Sequence, residues 1–110
     1  MSGRSSRDRG KRAEQAVARW LTANGWPART TRATSGAQQG DDLVTGTGLS
    51  WEIKDHARLE LAAWLDQAQA QAGGKPAVVM HKRRGVADPS GWYVTMSGAD
   101  LLRILEGDVG

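Results

Sequence analysis

Ala77-Val78-Val79-Met80 is an unbroken apolar run, and it constrains the fold more than any other stretch of the chain. A strand at a sheet surface alternates apolar and polar residues, whereas a continuous run predicts a strand buried on both faces. Such a strand has to be covered, and two segments carry stripes suited to covering it. Ala13, Ala16, Val17, Trp20 and Leu21 recur at i, i+3, i+4, i+7 and i+8, one face of a helix that starts at Asp8 and stops at Asn24-Gly25, ahead of Pro27. Leu61, Trp64, Leu65, Ala68 and Ala72 repeat the pattern up to the Gly73-Gly74 stop. Neither helix is stable alone, so each needs a sheet to pack on.

Between these landmarks the pattern is strand-like. The Thr-rich stretch 28–34 is compatible with a strand, and Ser35 to Gly40 is a polar loop. Leu43-Val44-Thr45 and Leu49 to Asp55 read as the two arms of a hairpin around Gly46-Thr47-Gly48. Trp92 to Met96 forms a further strand after the turn Asp88-Pro89-Ser90-Gly91, and Ser97 with Asp100 opens a last helix holding Leu101, Leu102, Ile104 and Leu105. The order α-β-β-β-α-β-β-α predicts an α/β chain with a mixed sheet. Its early strands pair antiparallel, and the strand after the second helix runs parallel to the one before it. Residues 1–7 have almost nothing to bury and are expected to form a disordered basic arm, leaving 8–110 as a single domain.

Composition narrows the function classes. The 110 residues include no cysteine, which excludes disulfide scaffolds and thiolate metal sites. No apolar run approaches the ~20 residues that span a bilayer, and the basic N-terminus has no apolar stretch behind it; the expectation is a soluble cytoplasmic protein with no membrane partner. The net charge is only +3, but the cations cluster. Arg4, Arg7, Arg9, Lys11 and Arg12 stand against Asp8 alone, and His81 is followed by Lys82, Arg83 and Arg84. Such clusters suit a polyanion, usually nucleic acid, and are equally explained as a solubilising tail and a solvated loop.

The chemistry-bearing residues centre on Glu52-Ile53-Lys54. On a strand, Glu52 and Lys54 share one face while Trp51 and Ile53 point to the other. With a three-residue loop 46–48, Asp42 lies opposite Glu52; with a four-residue loop, Asp41 does. Gly48 at the left-handed position and the grouping of Leu43 with Trp51 and Ile53 favour Asp42, with Asp41 as the alternative. Carboxylates facing each other across a strand pair, with Cβ atoms roughly 5 Å apart, repel unless a cation lies between them. Mg²⁺ suits one or two carboxylates completed by water and phosphate oxygens. The plainer account is a solvated strand face with Asp42 at its polar end.

Gly40-Asp41-Asp42-Leu43-Val44 followed by Glu52-Ile53-Lys54 resembles the signature of the PD-(D/E)XK nuclease superfamily. Gly10-Lys11-Arg12-Ala13-Glu14 is similar to the helix-one opening of archaeal-type Holliday junction resolvases. Ala63 to Ala68, His81 to Gly85 and Trp92 to Met96 are similar to stretches of small resolvase-type proteins of actinobacterial bacteriophages. The resemblance spans roughly residues 8–105, and Asp41 stands where the nominal motif has proline.

It implies a restriction-endonuclease-like αβββαβ core with an extra C-terminal strand and helix, and a structure-selective endonuclease that resolves four-way DNA junctions by paired phosphodiester cuts. The same residues would serve flaps, single strands or duplex ends, and a non-catalytic DNA-binding module is the remaining alternative. The implied metal ligands for Mg²⁺, with Mn²⁺ able to substitute, are Asp42, Glu52, the Ile53 carbonyl and Glu14. The implied catalytic set is Glu14, Asp42, Glu52 and Lys54. Glu14 is also explained as an ordinary first-turn glutamate. Gln67 matches a polar residue that supports such sites, although surface solvation, beside Gln69 and Gln71, is the weightier reading. Arg9, Lys11, Arg12, Arg29, Arg32, Ser35, Lys82, Arg83 and Arg84 are candidate contacts to branched or duplex DNA. Paired cuts imply a homodimer, with the apolar last helix or an exposed strand as its interface.

Overall fold

The computed structural model of the chain describes residues 3–31 and 41–107, with side chains from Arg7 onward. Among the described residues it is a mixed α+β structure with three α-helices, a short 3-10 helix at Pro89–Gly91 and two sheets. β4 (Ala77–His81) is the central strand of the larger sheet, parallel to β3 (Ser50–Lys54) and antiparallel to β5 (Tyr93–Thr95). All five β4 residues are buried. Val78 and Met80 pack with Ala13, Val17 and Leu21 of α1 (Gly3–Ala23), while Ala77 and Val79 pack with Trp64, Ala68 and Ala72 at α2 (Leu61–Gln71). The two-sided burial expected of the apolar run is therefore met by one helix on each face.

Two expectations change. α1 begins at Gly3, so it takes in residues assigned above to a disordered arm; Arg4 and Arg7 are good helix formers and no proline intervenes. The hairpin between residues 43–45 and 49–55 is also absent as a ladder. β2 (Leu43–Thr45) pairs instead with β1 (Ala28–Thr30) in a separate two-stranded sheet. The reason lies in the connecting loop. The Thr47 hydroxyl accepts from Leu49 N at 3.2 Å and from the Trp51 indole at 2.9 Å, and Thr47 N donates to the Thr45 hydroxyl at 3.1 Å. Local side-chain bonds of this kind compete with ladder pairing.

Parallel pairing of β3 with β4 follows the expected order, and the Ser97 hydroxyl caps α3 (Gly98–Leu105) by accepting from Asp100 N at 3.1 Å. The Asp100 carboxylate does not complete a capping box; it accepts from Ala77 N at 3.0 Å, tying α3 to the start of β4. Trp20, Trp51, Trp64 and Trp92 pack in or against the core, whereas Trp26 is half exposed. Among the described residues no helix is long and apolar enough to cross a membrane.

Candidate active site

β3 positions the site. Trp51 and Ile53 enter the core beneath α1, so alternation sends Glu52 and Lys54 to the opposite face. That face is not solvated as a plain polar strand would be: Glu52 is only 7% exposed. Lys54 Nζ lies 3.2 Å from Glu52 Oε2 and donates to Gln67 Oε1 on α2 at 3.4 Å. Gln67 therefore supports Lys54, against the expectation of simple solvation.

Asp42 reaches the outer edge of β3 without a hairpin ladder. Asp42 N donates to Trp51 O at 2.8 Å, and its Oδ2 accepts from Ile53 N at 2.7 Å. The backbone bond joins Asp42 to Trp51, one residue away from the expected Glu52 partner. Thr31 holds the other side of Asp42, its N and hydroxyl donating to Asp42 O at 3.1 and 3.3 Å. A strand residue's N–H and C=O point to the same edge, so the Ile53 carbonyl lies on the edge that Asp42 occupies. Asp41 turns elsewhere: its carboxylate accepts from the Ser50 hydroxyl at 2.7 Å and pairs with Lys75 at 3.0 Å.

Glu14, Asp42, Glu52, Ile53 and Lys54 line one cleft of about 300 Å³, together with Arg9. Glu14 is 4% exposed, far more buried than a first-turn surface glutamate, and its charge acts on both other carboxylates. Burial, then the Glu52 charge, pushes the Asp42 carboxyl up to about 7, against the lowering effect of the Ile53 N–H bond. Burial also raises Glu52, and the Lys54 ammonium partly offsets this. Carboxylates held this way favour either a proton or a cation.

Among the described residues no three His, Asp or Glu side chains already converge as a metal cage. Two hard-oxygen carboxylates, with a backbone carbonyl on the same edge, do fit the lighter ligation that Mg²⁺ uses, in which water completes the shell.

The candidate DNA contacts divide. Arg9 lines the acidic cleft and a neighbouring one, where Lys82, Arg83 and Arg84 also lie. Lys11, Arg12 and Arg29 are exposed and line neither cleft. Arg32 and Ser35 lie outside the described residues. Arg7, a member of the basic N-terminal cluster, lines the acidic cleft, and so do Asp55 and His56, which no sequence motif singled out; Tyr93, equally unmarked, lines its neighbour. The run Lys54-Asp55-His56 continues β3 past its last ladder pair, and that continuation was the available signal.

Comparison with protein-family models, curated proteins and solved structures finds no match for this chain. Its own atoms therefore carry the chemical interpretation. A carboxyl raised to about 7 at Asp42, a second raised carboxyl at Glu52, a neighbouring ammonium and an adjoining run of cations suit hydrolysis of an anionic ester.

Proposed function

We propose that the chain is a Mg²⁺-dependent endodeoxyribonuclease acting on branched DNA, including four-way junctions. The observation that carries this is the meeting of Glu14, Asp42, Glu52 and Lys54 in one cleft that opens towards Arg9 and the Lys82–Arg84 turn. Asp42 and Glu52, with the Ile53 carbonyl beside them, would hold the cation, and Glu14 would act from the outer side. When bound, the ion supplies a more acidic water and neutralises charge on the scissile phosphate.

The chain's own groups do the rest. Lys54, steadied by Glu52 and Gln67, points its ammonium at charge that builds on the phosphate oxygens. The Asp42 carboxyl, raised by burial, would be held ionised by the cation it binds, and the attacking water would release its proton to bulk solvent. Water adds to phosphorus, one P–O ester bond breaks, and the departing oxygen takes a proton from solvent. The exposed leucines of α3 supply an apolar surface for a second copy, which would give the two active sites that paired cuts require.

The test compares a synthetic four-way junction, a flap, a single strand and a linear duplex with Mg²⁺ and again with Mn²⁺. Branched substrates are expected to be cut. Glu52→Gln is expected to abolish cutting in either metal while DNA binding persists. Wild-type rates from an Asp42→Asn/Glu52→Gln double variant would remove this site from consideration.

A further inference from the structure

The acidic cleft is one end of a longer groove. A cavity of about 860 Å³ shares Arg9, Asp55 and His56 with it and continues past Lys82, Arg83 and Arg84 to Tyr93. Two kinds of surface line this cavity. Arg9 and the three cations of the turn face a single carboxylate, Asp55. Among them stand flat or apolar groups: Tyr93 is 46% exposed, Leu59 is 56% exposed, and His56, whose ring packs 5.5 Å from that of Trp64, is an exposed residue.

The basic turn is firmly built. Lys82 N donates to Lys54 O at 2.9 Å, so the turn leaves β4 where the Glu52–Lys54 strand ends. Val86 N closes it by donating to Arg83 O at 3.1 Å, with Gly85 in the left-handed region at φ 80°. The Trp92 indole donates to Val86 O at 2.7 Å and lies 5.9 Å from Lys82 Nζ. The Arg83 guanidinium carbon lies 5.8 Å from the centre of the Tyr93 ring, which also packs 5.3 Å from the His81 ring. Tyr93 and Arg83 thus form one supported surface of planar groups.

A duplex would use only the cations, because its bases stack on each other and its phosphates face outward. An unpaired strand uses both surfaces, with phosphates on the cations and bases on aromatic or guanidinium planes. We infer that this groove binds an unpaired DNA strand, stacking a base on the Tyr93–Arg83 surface and leading the strand over Arg9 into the acidic cleft. The inference deepens the nuclease reading and rests on it for the choice of DNA. It narrows the preferred substrate to branched DNA carrying a single-stranded tract.

The test reads binding in EDTA, by fluorescence anisotropy, for a labelled oligothymidine and a blunt duplex of the same length. The single strand is expected to bind about tenfold tighter or more. Tyr93→Ala is expected to weaken single-strand binding about tenfold and duplex binding less than about twofold, with Tyr93→Phe close to wild type. Arg83→Ala lies in an exposed turn and provides a second probe if Tyr93→Ala does not fold; its loss is expected to be larger on the single strand than on the duplex. Equal affinity for the two DNAs, or equal losses on both in the folded variants, overturns the inference.

Binding and cutting separate the two proposals. Tight oligothymidine binding without Mg²⁺-dependent cutting of any substrate supports the groove and removes the nuclease reading. Mg²⁺-dependent cutting with no preference for the single strand in EDTA overturns the groove and leaves the nuclease reading standing.

Discussion

Asp42 is the residue on which stability and the proposed chemistry pull in opposite directions. Its carboxyl is raised from an ordinary 3.8 to about 7 by burial and by Glu52. Between those values the folded chain keeps a proton that the unfolded chain has released, so stability falls as pH rises through that window. Each pH unit of separation is worth about 1.4 kcal/mol, which puts the loss across the window at a few kcal/mol. Glu52 is raised in the same direction and adds to it. The expectation is a melting temperature in EDTA that declines from pH 5 to pH 8, and an Asp42→Asn variant with a clearly shallower decline. Mg²⁺ should recover the wild type at pH 8 and leave the variant unmoved. Parallel melting curves for the two proteins would show that Asp42 does not carry this proton. Alternation sorts Leu43 from Asp42 as expected, but the hairpin register that set Asp42 opposite Glu52 is not built; Asp42 reaches β3 through its bonds to Trp51 and Ile53 instead. That route was not legible in the sequence, because a carboxylate bonding a neighbouring strand's N–H leaves no periodic trace. Residue pattern alone did not distinguish Gln67 either, since one glutamine among several on a helix looks the same whether or not a lysine reaches it; only the family resemblance marked it.

At the scale of elements, periodic burial could be read and local side-chain bonding could not. β4, α1 and α2 announced themselves because a buried face repeats at the period of its own backbone. The loop between β2 and β3 has no such repeat. Its threonines suit strands and side-chain-bonded turns alike, so Gly46-Thr47-Gly48 was compatible with a hairpin that the structure does not build. The Thr47 hydroxyl is the decisive group, since it accepts from both Leu49 N and the Trp51 indole. Thr47→Val keeps the shape and removes the acceptor, leaving two donors without it. The expected cost is about 1–3 kcal/mol, read as a lower denaturant midpoint at unchanged slope. Thr47→Ser retains the oxygen and should lie much closer to wild type. Because Trp51 sits one residue before Glu52, Thr47→Val should also loosen the acidic cleft and weaken its Mg²⁺ affinity. Equal midpoints for Thr47→Val and Thr47→Ser would show that the hydroxyl does not organise the loop.

The whole molecule covers both faces of β4 yet leaves one helix with nothing buried. α3 has no buried residue, and its Leu101, Leu102 and Leu105 are 45%, 56% and 70% exposed. At 3.6 residues per turn these leucines fall within an arc of about 100°, the width of one apolar helix face. A helix of 8 residues is well short of the roughly 12–15 at which isolated helices become even marginal in water. Within one copy, α3 is secured by polar contacts: the Ser97 cap, the Asp100 bond to Ala77 N and the Arg103–Asp100 pair at 3.5 Å. Its apolar stripe adds little to that, whereas packing against a second copy would recover on the order of 1 kcal/mol or more for each leucine buried. An isologous contact is the natural geometry, because the same stripe then serves both partners. The expectation is that the wild-type chain sediments as a dimer at micromolar concentration and that Leu102→Asp/Leu105→Asp sediments as a monomer with unchanged helical circular dichroism. On a four-way junction the dimer should release paired cuts in one binding event, and the monomeric variant should accumulate singly nicked junctions while keeping its rate per site. A wild-type chain that stays monomeric at high concentration, or an aspartate variant that still dimerises, would show that the leucine stripe is not the interface.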